Sequence, residues 1–164
     1  MTEPTWLVRA YQDAGQKETL GPNDSPRLRA MLKKLGLEWL AGKAWCGTIL
    51  GEWMIDCGYE PPPNYFRARA WATWGQKLSI PVVGCVGVFA RPGIGTGHVG
   101  LIVGTDLQNR FLVYGGNQED SVRVSPFDRN RLLPDGLRWP NGALDKQLYL
   151  PQLVSSAASS VNEA

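Results

Sequence analysis

The apolar residues of this 164-residue chain change their spacing near residue 75, and that change limits the fold more than any other feature. Ahead of it they recur every three or four positions, the period of a helix with one buried face. Beyond it they come in short runs bounded by turn residues, as strands do. Residues 5–14 read as a first helix, with Thr5 as its cap and Trp6, Leu7 and Ala10 on one face. Ser25-Pro26 is a start signal, a capping hydroxyl followed by a ring already fixed at a helical φ. Leu28, Met31, Leu32 and Leu35 follow before Gly36. After Trp45-Cys46-Gly47 a third stripe runs through Ile49, Leu50, Trp53, Met54 and Cys57 to Gly58. Pro61-Pro62-Pro63 breaks the pattern, and Asn64 is placed to cap a fourth helix carrying Phe66, Ala70, Trp71 and Trp74. Strands are expected at 82–89, 98–103, 111–114, 121–124 and 147–150, with loops at Pro134-Asp135-Gly136 and Pro140-Asn141-Gly142. Helices first and strands after predict an α+β domain, a helical half packed on an antiparallel sheet.

The length suits one core rather than two, so residues 1–152 are expected to form a single domain. Residues 153–164, which include a run of serines and alanines, are expected to form a flexible tail. Net charge is only +2 and the basic residues are scattered along the sequence, which argues against a nucleic-acid partner. No apolar run approaches the roughly 18 residues that a membrane-spanning helix needs. The N-terminus lacks the basic start and apolar stretch of a secretory signal, so accumulation in the cytosol is expected. Seven tryptophans are many for this length; most belong in a core, and a few exposed ones beside a cleft would suit sugar or peptide binding. A monomer is expected, since no unexplained apolar surface pattern is visible.

Chemistry is concentrated in few residues. His98 is the one histidine, the side chain whose ordinary pKa suits a general base near neutrality. Taken alone, it reads more readily as a histidine bonded to backbone or solvent. Cys46 adds weight, because it lies where a loop becomes a helix. There the unpaired backbone N–H groups and the helix dipole favour a thiolate and are placed to bind the oxyanion of an attacked carbonyl. Cys57 and Cys85 sit in apolar stripes, where inert thiols are expected. Gly115-Gly116-Asn117-Gln118 ends the strand after His98, so Asn117 is a candidate to orient the imidazole; as a plain tight turn the segment reads equally well. The three cysteines and His98 match a zinc ligand count, but spacings of 11, 28 and 13 residues lack the short paired steps of such sites. No carboxylate pair suggests a glycosidase, although Glu18, Glu38 and Glu52 lie in the helical half.

The ordered set Thr5-Trp6-Leu7, Ser25-Pro26-Arg27, Trp45-Cys46-Gly47, Gly58-Tyr59, Arg69-Ala70-Trp71, Trp74-Gly75, Gly97-His98-Val99-Gly100 and Gly115-Gly116-Asn117-Gln118 resembles a known group. It is similar to the small phage and bacterial cell-wall hydrolases of the cysteine, histidine-dependent amidohydrolase/peptidase (CHAP) and NlpC-like superfamily. The resemblance spans about residues 6–124. It implies a papain-like fold and cleavage of a peptidoglycan amide through a thioester, with no cofactor. It also implies Cys46 as nucleophile, His98 as base and Asn117 as the orienting group. Trp45, Trp71, Tyr114 and Gln118 become candidates for substrate contact. Two family features are missing: Gly84-Cys85 stands where Gly-Asp is usual, and Gly115 where some relatives carry a glutamate. The setting implied is a phage endolysin that reaches the wall through a holin-type lesion. An interbacterial amidase toxin and a non-catalytic wall-binding or virion module are the competing expectations.

Overall fold

A computed structural model describes residues 2–18, 25–92 and 96–154. The helical part comprises α1 (Thr5–Tyr11), α2 (Pro26–Leu35) and α3 (Cys46–Asp56), with short 3-10 turns at Glu38–Leu40, Ala68–Thr73 and Arg129–Arg131. The strands are β1 (Gln76–Lys77), β2 (Cys85–Ala90), β3 (Gly97–Thr105), β4 (Phe111–Gln118), β5 (Ser121–Phe127) and β6 (Leu132–Trp139). They form one antiparallel sheet in the order β1-β6-β2-β3-β4-β5. This is the α+β arrangement that the change of period predicts.

The start of α2 behaves as its sequence dictates. Ser25 Oγ accepts from the Leu28 N–H at 3.2 Å, Pro26 occupies the first turn, and Gly36 closes the helix. α1 starts after Pro4 rather than on a Thr5 cap, and the Thr5 N–H instead donates to Asp145 Oδ2 at 2.9 Å. Only a 3-10 turn, Ala68–Thr73, forms where a fourth helix is expected. Asn64 has a φ of 58° and caps nothing there. β6 runs through Pro134-Asp135-Gly136, where turn residues suggest a loop. Residues 147–150 make only an isolated bridge, Tyr149 to Val82. Of the expected tail, 155–164 lie outside the described residues.

The sheet is strongly curved. Phe89 on β2 and Phe127 on β5 have ring centroids 4.9 Å apart, although β3 and β4 run between them. In a flat sheet three strand spacings would separate them by roughly 14 Å. The helices pack on the opposite, convex face: α3 covers β3 and β4, and the Tyr114 hydroxyl donates to the Ala10 carbonyl at 2.8 Å.

The three helices are also tied together by charge. Asp13 Oδ1 accepts from Arg27 Nε at 2.7 Å, and Asp13 Oδ2 accepts from Arg9 Nη1 at 3.0 Å and Trp53 Nε1 at 2.9 Å. Glu52 accepts from Arg27 at 3.0 Å and Lys34 at 3.1 Å, and Asp56 accepts from Arg9 and Lys34, both at 2.8 Å. Burial raises the pKa of Asp13, but the hydrogen bonds from Arg27 and Trp53 outweigh it and hold the carboxyl below its ordinary range. No helix among the described residues is long and apolar enough to cross a membrane.

Candidate active site

Cys46 is the first residue of α3, and close backbone packing sets where it sits. Gly116 on β4 lies so near that helix that a Cβ there would meet the Trp45 ring at 2.6 Å and Ile49 Cγ2 at 2.7 Å. Glycine at that position lets the first turn of α3 rest directly on the strand. Gly47 does the same on another side, where a Cβ would lie 2.3 Å from the Tyr65 carbonyl oxygen. That contact draws residues 63–66 alongside the thiol. Cys46 thereby lines a groove of about 690 Å³ with Asn64, Phe66, Arg67, Arg69, Arg91 and Gly97 among its walls.

His98 follows Gly97 on β3, so its side chain turns to the other face of the strand. Gly97 faces Ala68 and Arg69, whereas the His98 ring stacks on Phe127 on the concave face, with centroids 5.0 Å apart and planes 21° apart. The imidazole is fully buried. Its Nε2 lies 2.9 Å from Gln118 Oε1, and the same two atoms border the space a Cβ of Gly115 would occupy. Gln118 Nε2 donates to the Val113 carbonyl at 3.0 Å and to the Arg123 carbonyl at 2.6 Å. Those two bonds fix which end of the amide is oxygen. The oxygen can only accept, so His98 must carry its proton on Nε2. Nδ1 therefore holds the lone pair, and it makes no hydrogen bond to Cys46 or to any other group. Burial pushes the His98 pKa down to about 3; the Gln118 bond opposes the shift, while the charges of Arg131 and Arg91 add to it. The ring is neutral at physiological pH.

The imidazole's partner is thus Gln118, which corrects the expectation of Asn117. The β3–β4 register pairs Leu101 with Tyr114, and extended without a break it sets His98 opposite Asn117. The β4–β5 register shifts between Gly115 and Gln118, and Asn117 takes a left-handed φ of 58°. Asparagine tolerates that conformation, and the irregularity aims the next side chain at His98. Gln118 is therefore no substrate contact: it is fully buried.

The other three expected contact residues are also core. Trp45 donates from Nε1 to Glu18 Oε2 at 3.0 Å, Trp71 from Nε1 to the Tyr65 carbonyl at 2.8 Å, and Tyr114 packs on Trp53 and Tyr11. Of seven tryptophans only Trp39 is exposed, at 65%, and it meets Phe66 of the groove edge-on at 5.2 Å. Neither Trp39 nor Arg67 stands out in the sequence, and Arg69 enters only as part of a motif, because residues 67, 69 and 91 converge only through the fold.

The remaining thiols are quiet. Cys85 is fully buried and its pKa is pushed up to about 12, and burial raises that of Cys57 as well. Among the described residues no three metal-ligating side chains converge. Glu52, one of the carboxylates in the helical half, is held by Arg27 and Lys34.

No family model, no curated protein and no solved structure matches this chain.

Proposed function

We propose that the protein is a cysteine hydrolase of the bacterial cell wall, of papain-like fold and endolysin type. It would cleave a peptidoglycan amide with Cys46 as nucleophile and His98 as base. The supporting observation is the Cys46 thiol at the first turn of α3, lining a groove of about 690 Å³; added to it is the His98–Gln118 pair, in which a side-chain amide of fixed orientation holds the buried imidazole in one tautomer. Cys46 starts a helix of eleven residues at the groove beside Gly97, so backbone N–H groups of α3 face the place where an oxyanion would form.

His98 lies on the concave face of the sheet and α3 on the convex face, so this reading requires β3 to rearrange and bring His98 Nδ1 to Cys46 Sγ before the chemistry begins. Nδ1 takes the thiol proton and Sγ attacks the carbonyl carbon, forming the S–C bond. The C–N bond then breaks and the amine departs with the proton from Nδ1. Water attacks the thioester next, giving up a proton to Nδ1. Breakage of the C–S bond releases the carboxylic acid and restores the thiol. Gln118 keeps the Nε2 proton in place throughout. The deciding experiment is release of new amines from purified sacculi by wild type and by Cys46→Ala. Undiminished release by the variant would end the proposal.

A second reading draws on a specific observation. Complete burial, stacking on Phe127 and a pKa near 3 also suit a histidine that serves packing alone. The protein would then be a non-catalytic wall-binding module. Sacculus binding by wild type without amine release would favour it.

A further inference from the structure

We infer that the Cys46 groove selects an acyl donor bearing a free carboxylate beside the scissile amide, held by Arg67 and Arg69 with Arg91 close by. The inference rests on the hydrolase reading and narrows its substrate. The groove walls described here carry three arginines and no aspartate or glutamate. Several cationic side chains elsewhere have anionic partners: Arg9, Arg27 and Lys34 in the helical half, Lys77 with Asp135, Arg110 with Asp106, and Arg123 with Glu119, while Arg129 and Arg138 donate to backbone carbonyls. Arg67 and Arg69, the two beside the candidate nucleophile, form no ion pair among the described residues.

Both are nonetheless positioned. The Arg67 guanidinium lies over the Phe66 ring, 5.8 Å from its centroid. Arg69 donates from Nε to the Thr96 carbonyl at 3.0 Å, and the Arg91 backbone N–H donates to the same oxygen at 3.4 Å. The shared carbonyl anchors the Arg69 fork, and its two terminal nitrogens keep the geometry for a bidentate carboxylate. Anchoring beforehand lowers the entropy lost when the ligand arrives. An anion is the ligand this chemistry fits. A carboxylate on the residue next to the cleaved bond places that anion within the same groove as the thiol.

The test uses one stem peptide in two forms, with its carboxyl groups free or converted to amides. Wild type, Arg67→Gln and Arg69→Gln are compared by kcat/KM, and binding of both peptides is measured by calorimetry in a Cys46→Ala background. Wild type is expected to favour the free acid by about tenfold or more, the scale of one charge-assisted pair, and each arginine variant to lose most of that preference. Equal kcat/KM on acid and amide, with cleavage still dependent on Cys46, would overturn the inference and leave the hydrolase reading intact. Absence of Cys46-dependent cleavage would remove the hydrolase reading. Calorimetry then decides the anion site alone: preference for the acid that both arginine substitutions abolish supports it, and equal binding refutes it.

Discussion

The protein buries polar groups in two regions and treats them in opposite ways. Between α1, α2 and α3 the buried carboxylates of Asp13 and Glu52, and the exposed Asp56 beside them, each have at least two cationic partners. On the concave face of the sheet the His98 ring has one nitrogen fastened and the other bare. The first arrangement is what stability asks of buried charge, since removing a partner leaves a desolvated ion. The second has Nδ1 of His98 buried without a hydrogen bond among the described residues, and burial holds the ring neutral. One region ties its carboxylates to cations; the other holds a neutral ring with a single side-chain partner.

Four measurements break or sharpen that contrast. The largest effect is expected from Cys46→Ala, which should reduce wall lysis by at least about 10³-fold while leaving the thermal midpoint close to wild type. Retained lysis would mean that the open nitrogen has no catalytic meaning. Asp13→Ala should do the reverse. It should cost about 3–5 kcal/mol in urea unfolding, because Arg9 and Arg27 lose a buried partner, with kcat unchanged under conditions where the variant stays folded. A small stability loss would show that the helical cluster is more solvated than its geometry implies.

Gln118→Ala comes third. Loss of the group that fixes the tautomer should lower kcat by about 10²-fold, near 2.7 kcal/mol on the barrier, with KM less affected. Asn117→Ala should do less in the same assay, and equal or larger losses from Asn117→Ala would restore the assignment that the strand irregularity displaced.

The smallest effect is the change in stability between pH 7 and 5. The His98 pKa is about 3 when folded and near 6.5 when unfolded, so the unfolded chain binds the extra proton between those values. Stability is therefore full above about pH 6.5 and falls as the pH drops toward 3, by up to about 1.4 kcal/mol per unit from this one group. Asp13 and Asp56, held below their ordinary pKa, add to the loss only below about pH 4. Urea titrations at pH 7 and 5 should show the histidine slope alone, and His98→Gln should flatten it.

Much of the fold was legible in the chain because it depends on local signals. Ser25-Pro26, Gly36 and the stripe from Ile49 to Met54 state their helices unaided, and α3 begins on Cys46 itself. The failures are those of context. Pro134 and Gly136 carry turn chemistry yet lie in β6, where pairing with β2 overrides it. Residues 64–75 show helical spacing but are tethered by Trp71 and Trp74, whose N–H groups donate to the carbonyls of Tyr65 and Glu60, and only a 3-10 turn fits. His98 stands out by residue type, as the one histidine, and Cys46 by its position where a loop becomes a helix. The choice between Asn117 and Gln118 does not, because it turns on a one-residue irregularity between β4 and β5 that no spacing announces. The basic groove was equally hidden, since its arginines come from separate segments.

Six indoles lie shielded inside the molecule and one, Trp39, stands in water against the ring of Phe66. Collisional quenchers will therefore reach a single tryptophan, and its emission reports on the ring of Phe66, which lines the Cys46 groove. The chain carries its own optical gauge of occupancy, readable without any label and in a protein whose thiol has been removed.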